Sequence, residues 1–191
     1  MSSSLGIAGP VSESFWAEIA PCEHMAQFYE HDNVFLDTLA GFIGGGLKSG
    51  EGAIVIATME HLGALSSRLQ DNGVNVANAL SHDQYLPLVA ENVLAQFMEN
   101  HSPDEGLFVD VVSKILARAR GDGRRVRAFG EMVALLWARG DHAATVKLEY
   151  LWHGLCGKLD FSLLCAYPKA GFTEETSESL SEICLAHSRI I

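Results

Sequence analysis

Two short apolar runs constrain the fold of this chain more than any other feature. They are AIVIAT at residues 53–58 and FSLLCAYP at 161–168, both continuous stretches of hydrophobic residues. Such runs are typical of strands covered on both faces, as in a parallel sheet between two layers of helices. The segments 84–90 and 125–132 predict two further strands, and Pro87 favours an edge position or a bulge for the first of these.

Helical patterns fill the intervals between those strands. Apolar residues recur at helical spacing over 33–47, and the GGG at 44–46 is the expected end of that helix. Thr58 is placed to cap the helix that follows the first run, and SPDE at 102–105 predicts another helix with Ser102 as its N-cap. Strands that alternate with helices in this way predict a three-layer α/β fold, with a mostly parallel sheet and helices on both faces.

Length and composition predict one folded domain. The chain has 191 residues, of which 48% are hydrophobic and 19% are charged, as is usual for a globular protein. The first 20 residues are rich in serine and glycine, so we expect a flexible arm there. Residues 21–191 are then expected to form a single domain that includes a short C-terminal helix.

Charge and cysteine spacing argue against several classes of protein. Thirteen lysines and arginines against 24 acidic residues give a net charge of −11, which disfavours direct binding of nucleic acid. No run approaches the ~20 apolar residues of a membrane helix, and the N-terminus lacks the pattern of a signal peptide, so we expect a cytoplasmic location. The four cysteines share no C-x-x-C spacing, which predicts reduced thiols, and Cys165 is expected to behave as a small hydrophobic residue.

Polar residues follow two of the predicted strands at their carboxyl ends, where ligands of open α/β sheets bind. Thr58 is the last residue of the first run and His61 follows it, and Glu131 falls at the end of the third predicted strand, with Arg127 or His61 as its expected partner. An ATP site at the first of these corners would need a glycine-rich loop and a lysine, but residues 50–65 have neither. We therefore expect no ATP hydrolysis.

A second candidate region lies near the N-terminus of the expected domain. His24, Gln27, Phe28 and Tyr29 mix aromatic and polar side chains, which suits the wall of a small-molecule pocket. The alternative is that the two aromatic residues only anchor this segment to the sheet. His24 and His31 have no visible third ligand, so the sequence predicts neither a metal site nor a cofactor.

The chain also carries six segments in one order: HMAQFYE (24–30), GLKSGEGAIVIAT (46–58), VRAFGEMVALLW (126–137), LEYLWHGL (148–155), FSLLCAYP (161–168) and ICLAHS (183–188). Together they resemble the MEDS domain, the sensory domain named for methanogens, methylotrophs and the dichloromethane-responsive regulator. The resemblance covers about residues 20–190. It implies a relative of the RecA/KaiC-type ATPase fold without the nucleotide-binding loop, which senses small molecules such as hydrocarbon derivatives. Two positions depart from the family pattern, because many relatives have cysteine in place of Ala26 and an acidic residue in place of Val89.

The resemblance and the strand-end residues together predict a non-enzymatic sensory or regulatory domain that binds a small, largely apolar ligand. Its expected partners are a histidine kinase, a response regulator, a transcription or sigma-factor regulator of the anti-sigma type, or a second copy of the chain. The expected ligand-binding residues are His24, Gln27, Phe28, Tyr29, Thr58, His61 and Glu131. Two alternatives stay open: a degenerate nucleotide-binding protein with weak ATP binding or hydrolysis, and an interaction domain without any ligand.

Overall fold

A six-stranded parallel sheet forms the centre of the protein in a computed structural model that describes Ile19 and residues 22–191. The predicted N-terminal arm therefore lies outside the described residues, apart from Ile19. The strands of the described chain are β1 (His24–Tyr29), β2 (Gly52–Ala57), β3 (Tyr85–Val89), β4 (Met98–Glu99), β5 (Ser102–Pro103), β6 (Val126–Gly130), β7 (Ser162–Pro168) and β8 (Arg189–Ile190). The sheet has the order β3-β2-β6-β7-β1-β8, and β4 and β5 form a separate antiparallel pair.

Helices cover both faces of this sheet, which confirms the three-layer α/β fold. One face packs against the first three helices of the described chain and the other against the remaining five, and each interface forms a hydrophobic core. None of these helices is long and apolar enough to cross a membrane. The helices are α1 (Asp32–Lys48), α2 (Met59–Asp71), α3 (Val76–Ser81), α4 (Ala90–Leu94), α5 (Glu105–Arg120), α6 (Met132–Ala138), α7 (His142–Leu159) and α8 (Ser177–Ala186).

The topology places a switch point between the ends of β2 and β6, and we call this region the crevice. These two strands are hydrogen-bonded neighbours, but α2 leaves β2 toward one face of the sheet and α6 leaves β6 toward the other. Ligands of open α/β sheets bind in crevices of this kind, outside the carboxyl ends of the strands. The crevice is bordered by Thr58, which follows β2, and by Glu131, which follows β6.

Strand β1 was not predicted from the sequence. Its residues HMAQFY form an interior strand with parallel pairing to β7 on one side and to β8 on the other. The predicted edge position of the strand that contains Pro87 is confirmed, because β3 pairs only with β2 among the described strands.

Two predicted helix boundaries are wrong. Helix α1 continues through the GGG at 44–46 and ends at Lys48. These glycines do not end the helix; they let neighbouring side chains pack closely against it. A Cβ atom at Gly46 would lie 2.8 Å from Cδ of Arg127, whose side chain passes beneath the helix. The N-cap of α5 is Asp104 rather than Ser102: its carboxylate accepts the N–H of Leu107 at 2.8 Å, and Ser102 pairs in β5 instead.

The close approach at Gly46 leads to a stability prediction. We expect Gly46→Ala to lower the free energy of unfolding by about 1–3 kcal/mol, because the added methyl group displaces the buried Arg127 side chain. Gly63→Ala is the matched control, since Gly63 is exposed in α2 and its Cβ would meet nothing within 4 Å. That change should stabilise the protein by about 0.5–1 kcal/mol. Urea unfolding measures both, and equal stabilities for the two variants would contradict the packing argument.

Candidate functional site

Three of the predicted residues meet in the crevice between β2 and β6. The carboxylate of Glu131 accepts the backbone N–H of Thr58 through Oε2 at 2.8 Å, and its Oε1 lies 2.8 Å from Nδ1 of His61. The Thr58 hydroxyl accepts the backbone N–H of His61 at 3.3 Å, which caps α2 as the sequence predicts. We call Thr58, His61 and Glu131 the strand-end triad. His61, and not Arg127, is thus the partner of Glu131, whereas Arg127 pairs with Glu51.

The electrostatics of the strand-end triad favour a charged histidine. The hydrogen bond that His61 donates to the Glu131 carboxylate raises the pKa of His61 above its ordinary value of 6.5, although partial burial acts in the opposite direction. The His61 side chain is 15% exposed and that of Glu131 is 9% exposed, so the pair lies at the border of solvent. Nδ1 is engaged by Glu131, and Nε2 has no hydrogen-bond partner among the described residues. In its protonated form, in which Nδ1 donates to Glu131, His61 offers the Nε2 N–H as a donor to a ligand.

Aromatic rings lie behind the strand-end triad. Phe35 in the first turn of α1 meets the His61 ring edge-on, with ring centroids 5.1 Å apart. Tyr29, the last residue of β1, stacks on Phe35 at 4.8 Å. Burial raises the pKa of Tyr29 to about 12, and the negative charges of Asp32 and Glu131 add to this effect. Tyr29 is the fourth predicted residue in this region.

The other three predicted residues lie elsewhere, so the seven do not form one site. Gln27 is buried beneath α1, where its Nε2 donates to the Thr38 hydroxyl at 3.0 Å. Phe28 points to the opposite face of the sheet, because successive side chains of a strand alternate, and it stacks on Tyr167. His24 lies on that face too, at the amino end of β1.

Around His24 the structure shows a group of polar side chains that sequence reasoning missed. We call His24, Glu149, Cys165 and His187 the buried cluster; their side chains are almost inaccessible to solvent, and their potential ligand atoms all lie within 4.8 Å of one another. Cys165 is thus not simply a small hydrophobic residue, as expected, since its thiol faces His24 and Glu149. One feature of the sequence indicates the cluster: Glu149 lies between apolar residues on the inner side of α7.

The carboxylate of Glu149 has protein partners on both oxygens. Its Oε1 accepts the hydroxyl of Tyr167, and its Oε2 lies 3.3 Å from Nε2 of His24 and 3.5 Å from Nε2 of His187. Burial alone would raise the pKa of Glu149, but the two histidines and the Tyr167 hydroxyl hold it below its ordinary value. The charged carboxylate is therefore retained inside the core.

Two surface depressions, of about 290 and 260 Å³, lie apart from every predicted site residue. The first lies between β3, α4 and α5, and the second between α4, the β4–β5 turn and the end of α6. They are lined by Leu88, Val93, Gln96, Asp110, Val111, Lys114 and Ile115 in the first, and by Glu91, Leu94, Ala95, Met98, His101, Leu136, Arg139 and Asp141 in the second.

The family model described as the methanogen/methylotroph, DcmR sensory domain, MEDS, matches residues 23–187. The chain belongs to the MEDS family. The matched range of this MEDS domain includes the strand-end triad and all four members of the buried cluster, of which His187 is the last residue matched. Membership confirms the resemblance and establishes a sensory domain at the level of the family. A search of curated proteins finds no match for this MEDS domain.

The pKa of His61 leads to a prediction on pH dependence. A histidine pKa raised by folding stabilises the protein fully below the unfolded value of 6.5, and this contribution is lost as the pH rises through the folded-state pKa. The stability lost in Glu131→Gln should therefore be larger at pH 6 than at pH 9, and its His61 pKa should fall. Imidazole NMR titration and urea unfolding measure the two effects.

Glu60→Gln is the matched control for this prediction. Glu60 is exposed on the same helix, and its negative charge contributes least to the raised pKa of His61. The control should therefore leave the His61 titration almost unchanged. An unaltered His61 pKa in Glu131→Gln would show that the hydrogen bond does not control the charge of the imidazole.

Proposed function

We propose that this MEDS domain senses a small, largely apolar molecule that carries one hydrogen-bond acceptor, and that the strand-end triad binds it. The observation that carries this proposal is the orientation of His61, whose Nδ1 is held by Glu131 while Nε2 has no partner among the described residues. A ligand oxygen at Nε2 would accept a charge-assisted hydrogen bond, which is stronger than one between neutral groups.

The surroundings of the strand-end triad support an apolar ligand body. Phe35 and Tyr29 lie behind the imidazole, and the first turns of α1 and α2 contribute the exposed apolar residues Val34 and Met59. Met59 is 68% exposed, so its side chain is accessible to a ligand at this end of α2. A molecule with a short hydrocarbon body would bury these side chains and place its acceptor against His61.

The same surroundings disfavour a nucleotide. The Glu131 carboxylate already accepts the Thr58 N–H, at the helix terminus where an external anion would otherwise bind. Asp32 and Glu60 add negative charge near His61. The resemblance implies a RecA/KaiC-like fold without a phosphate-binding loop. The charges near His61 agree with that loss, and we take the domain to bind its ligand without any chemical reaction.

The output of the domain is proposed to be a protein contact. Thr58 and His61 belong to the first turn of α2, so a ligand on His61 acts directly on the end of that helix. A histidine kinase, a response regulator, a sigma-factor regulator or a second copy of the chain would read the change at the exposed rim formed by Val34 and Met59.

A ligand screen by NMR tests this proposal. Short alcohols, ketones and amides are compared with hydrocarbons of the same size that lack an acceptor, while the His61 ring signals are monitored. We expect the acceptor-bearing compounds to bind and shift these signals. In His61→Ala their affinity should fall at least about tenfold, the loss expected for one hydrogen bond to a charged donor.

The matched control is His101→Ala, which removes an exposed histidine from the wall of the second depression. It should leave the affinity unchanged. Loss of binding in this variant, with binding retained in His61→Ala, would move the ligand to that depression. Micromolar binding of Mg-ATP that disappears in Thr58→Ala would instead support the nucleotide alternative, and a screen without any binding compound would support an interaction domain.

A further inference from the structure

The buried cluster brings together four side chains from four separate parts of the chain. His24 is the first residue of β1, Cys165 lies in the middle of β7, Glu149 lies on α7, and His187 directly follows α8. The side chains of His24, Glu149 and His187 are 0–1% exposed, and Cys165 is 0% exposed. Charged and polar groups at this depth need partners, because an unpartnered group costs several kcal/mol. The partners available to these four residues are mainly one another.

Four distances between potential ligand atoms of the buried cluster are close to those of a tetrahedral metal site, and all four atoms lie within 4.8 Å of one another. Oε2 of Glu149 lies 3.3 Å from Nε2 of His24, 3.5 Å from Nε2 of His187 and 3.6 Å from Sγ of Cys165. Sγ of Cys165 also lies 3.6 Å from Nε2 of His24. Tetrahedral Zn²⁺, with bonds of about 2.0–2.3 Å to nitrogen, oxygen and sulfur, holds its ligand atoms about 3.3–3.7 Å apart.

Both histidines are oriented as metal ligands are. Nδ1 of His24 lies 3.0 Å from the carbonyl oxygen of Ala186, and Nδ1 of His187 lies 2.6 Å from that of Ile183. A carbonyl oxygen can only accept a hydrogen bond, so Nδ1 carries the proton in each ring and Nε2 of the neutral ring presents a lone pair to the cluster. This backbone contact on the outer ring nitrogen is typical of histidines that bind metals.

A count of protons shows that the four atoms lack donors. In the state that binds a metal, with both imidazoles neutral and Glu149 ionised, the thiol proton of Cys165 is the single hydrogen available to two ring nitrogens, one carboxylate oxygen and one sulfur. Nε2 of His187 accordingly has no hydrogen-bond partner among the described residues, although its side chain is fully buried. A cation at the centre would satisfy all four atoms at once.

We propose that the buried cluster is a binding site for a divalent transition metal of the Zn²⁺ class. Binding would release the Cys165 proton to solvent, and the thiolate and carboxylate would then balance the two charges of the ion, so the core would hold no net charge. Two imidazoles and a thiolate select Zn²⁺ over Mg²⁺ or Ca²⁺, which prefer oxygen ligands. With four protein ligands the site has no open position, which indicates a structural or regulatory metal.

Metal binding would fasten the C-terminal segment to the sheet. His187 comes from the end of α8, and the next residue, Ser188, donates its backbone N–H to the carbonyl oxygen of His24 at 2.7 Å. Residues 189–190 then pair with β1 as strand β8. The metal would therefore link β1, β7 and α7 to the segment 177–191, and its occupancy would control how firmly that segment is docked.

The 191-residue chain, freed of metal with a chelator, is the material for the test, and Co²⁺ is the spectroscopic probe. We expect one equivalent of Co²⁺ to produce the intense visible bands of four-coordinate cobalt and a thiolate-to-cobalt charge-transfer band. Zn²⁺ should displace it, raise the melting temperature and slow amide exchange in residues 177–191. A weak octahedral spectrum without charge transfer, or no binding of either ion, would overturn the proposal.

Two variants and their matched controls identify the ligands. Cys165→Ala should abolish the charge-transfer band, and His187→Ala should weaken Zn²⁺ binding by more than about 100-fold, the most that loss of a partner outside the ligand shell causes. Cys184→Ala and His82→Ala remove a partly exposed thiol on α8 and an exposed histidine at the end of α3, and both should bind like the natural chain. Retention of the charge-transfer band in Cys165→Ala would contradict the assignment.

This proposal is independent of the ligand at the strand-end triad. If the native chain binds no metal, the NMR screen at His61 is unaffected, because the triad and the buried cluster share no residue. Circular dichroism on each metal-free variant separates loss of a ligand from loss of the fold. A folded His187→Ala protein that binds Zn²⁺ as tightly as the natural chain also contradicts the proposal.

Discussion

The burial of the central strands on both faces is the constraint on which the rest of the structure depends. Strand β2 is buried at all six positions, so one helical layer alone cannot shield it from water. The chain therefore crosses from one face to the other between β3 and β6, and helices that follow neighbouring strands leave in opposite directions. The crevice that holds Thr58 and Glu131 is a consequence of that crossing.

That crevice has the geometry of an anion site, but the chain supplies the anion. In a nucleotide-binding protein, backbone N–H groups near a helix terminus bind phosphate oxygens. Here the Thr58 N–H binds the carboxylate of Glu131, and the charge of that carboxylate is offset by His61 instead of a lysine or Mg²⁺. The internal carboxylate occupies the position of a phosphate oxygen, and in the proposed function the imidazole is the group that meets a ligand.

The fold class could be predicted from the sequence because hydrophobic periodicity is a local pattern. Predictions failed for elements whose structure depends on contacts between distant segments. Strand β1 was missed because HMAQFY mixes polar and apolar residues, and only its position between β7 and β8 shows why both faces are buried. The GGG in α1 could not be recognised as helical, since the reason for Gly46 is the Arg127 side chain, 81 positions away in sequence (127 − 46).

In the candidate site, too, residues placed by local patterns could be predicted, whereas contacts between distant segments could not. Thr58, His61 and Glu131 could be predicted because each follows a strand or begins a helix, and a topological rule brings strand ends together. Their partnership was open, and the structure decides it in favour of His61. The surroundings of His24 could not be predicted, because its contact with Glu149 depends on how α7 packs against the sheet, which no local pattern contains.

Glu131 and Glu149 are both carboxylates removed from water, but their surroundings differ. A carboxylate removed from water must be given donors or cations. Glu131 lies near solvent, receives a backbone N–H and shares the proton of a histidine that solvent can supply. Glu149 is fully buried: the Tyr167 hydroxyl donates to one of its oxygens, and the other oxygen faces Nε2 of His24, Nε2 of His187 and the thiol of Cys165. The same residue type is therefore paired with a histidine at the border of solvent and, in the proposed metal site, would be completed by a cation inside the core.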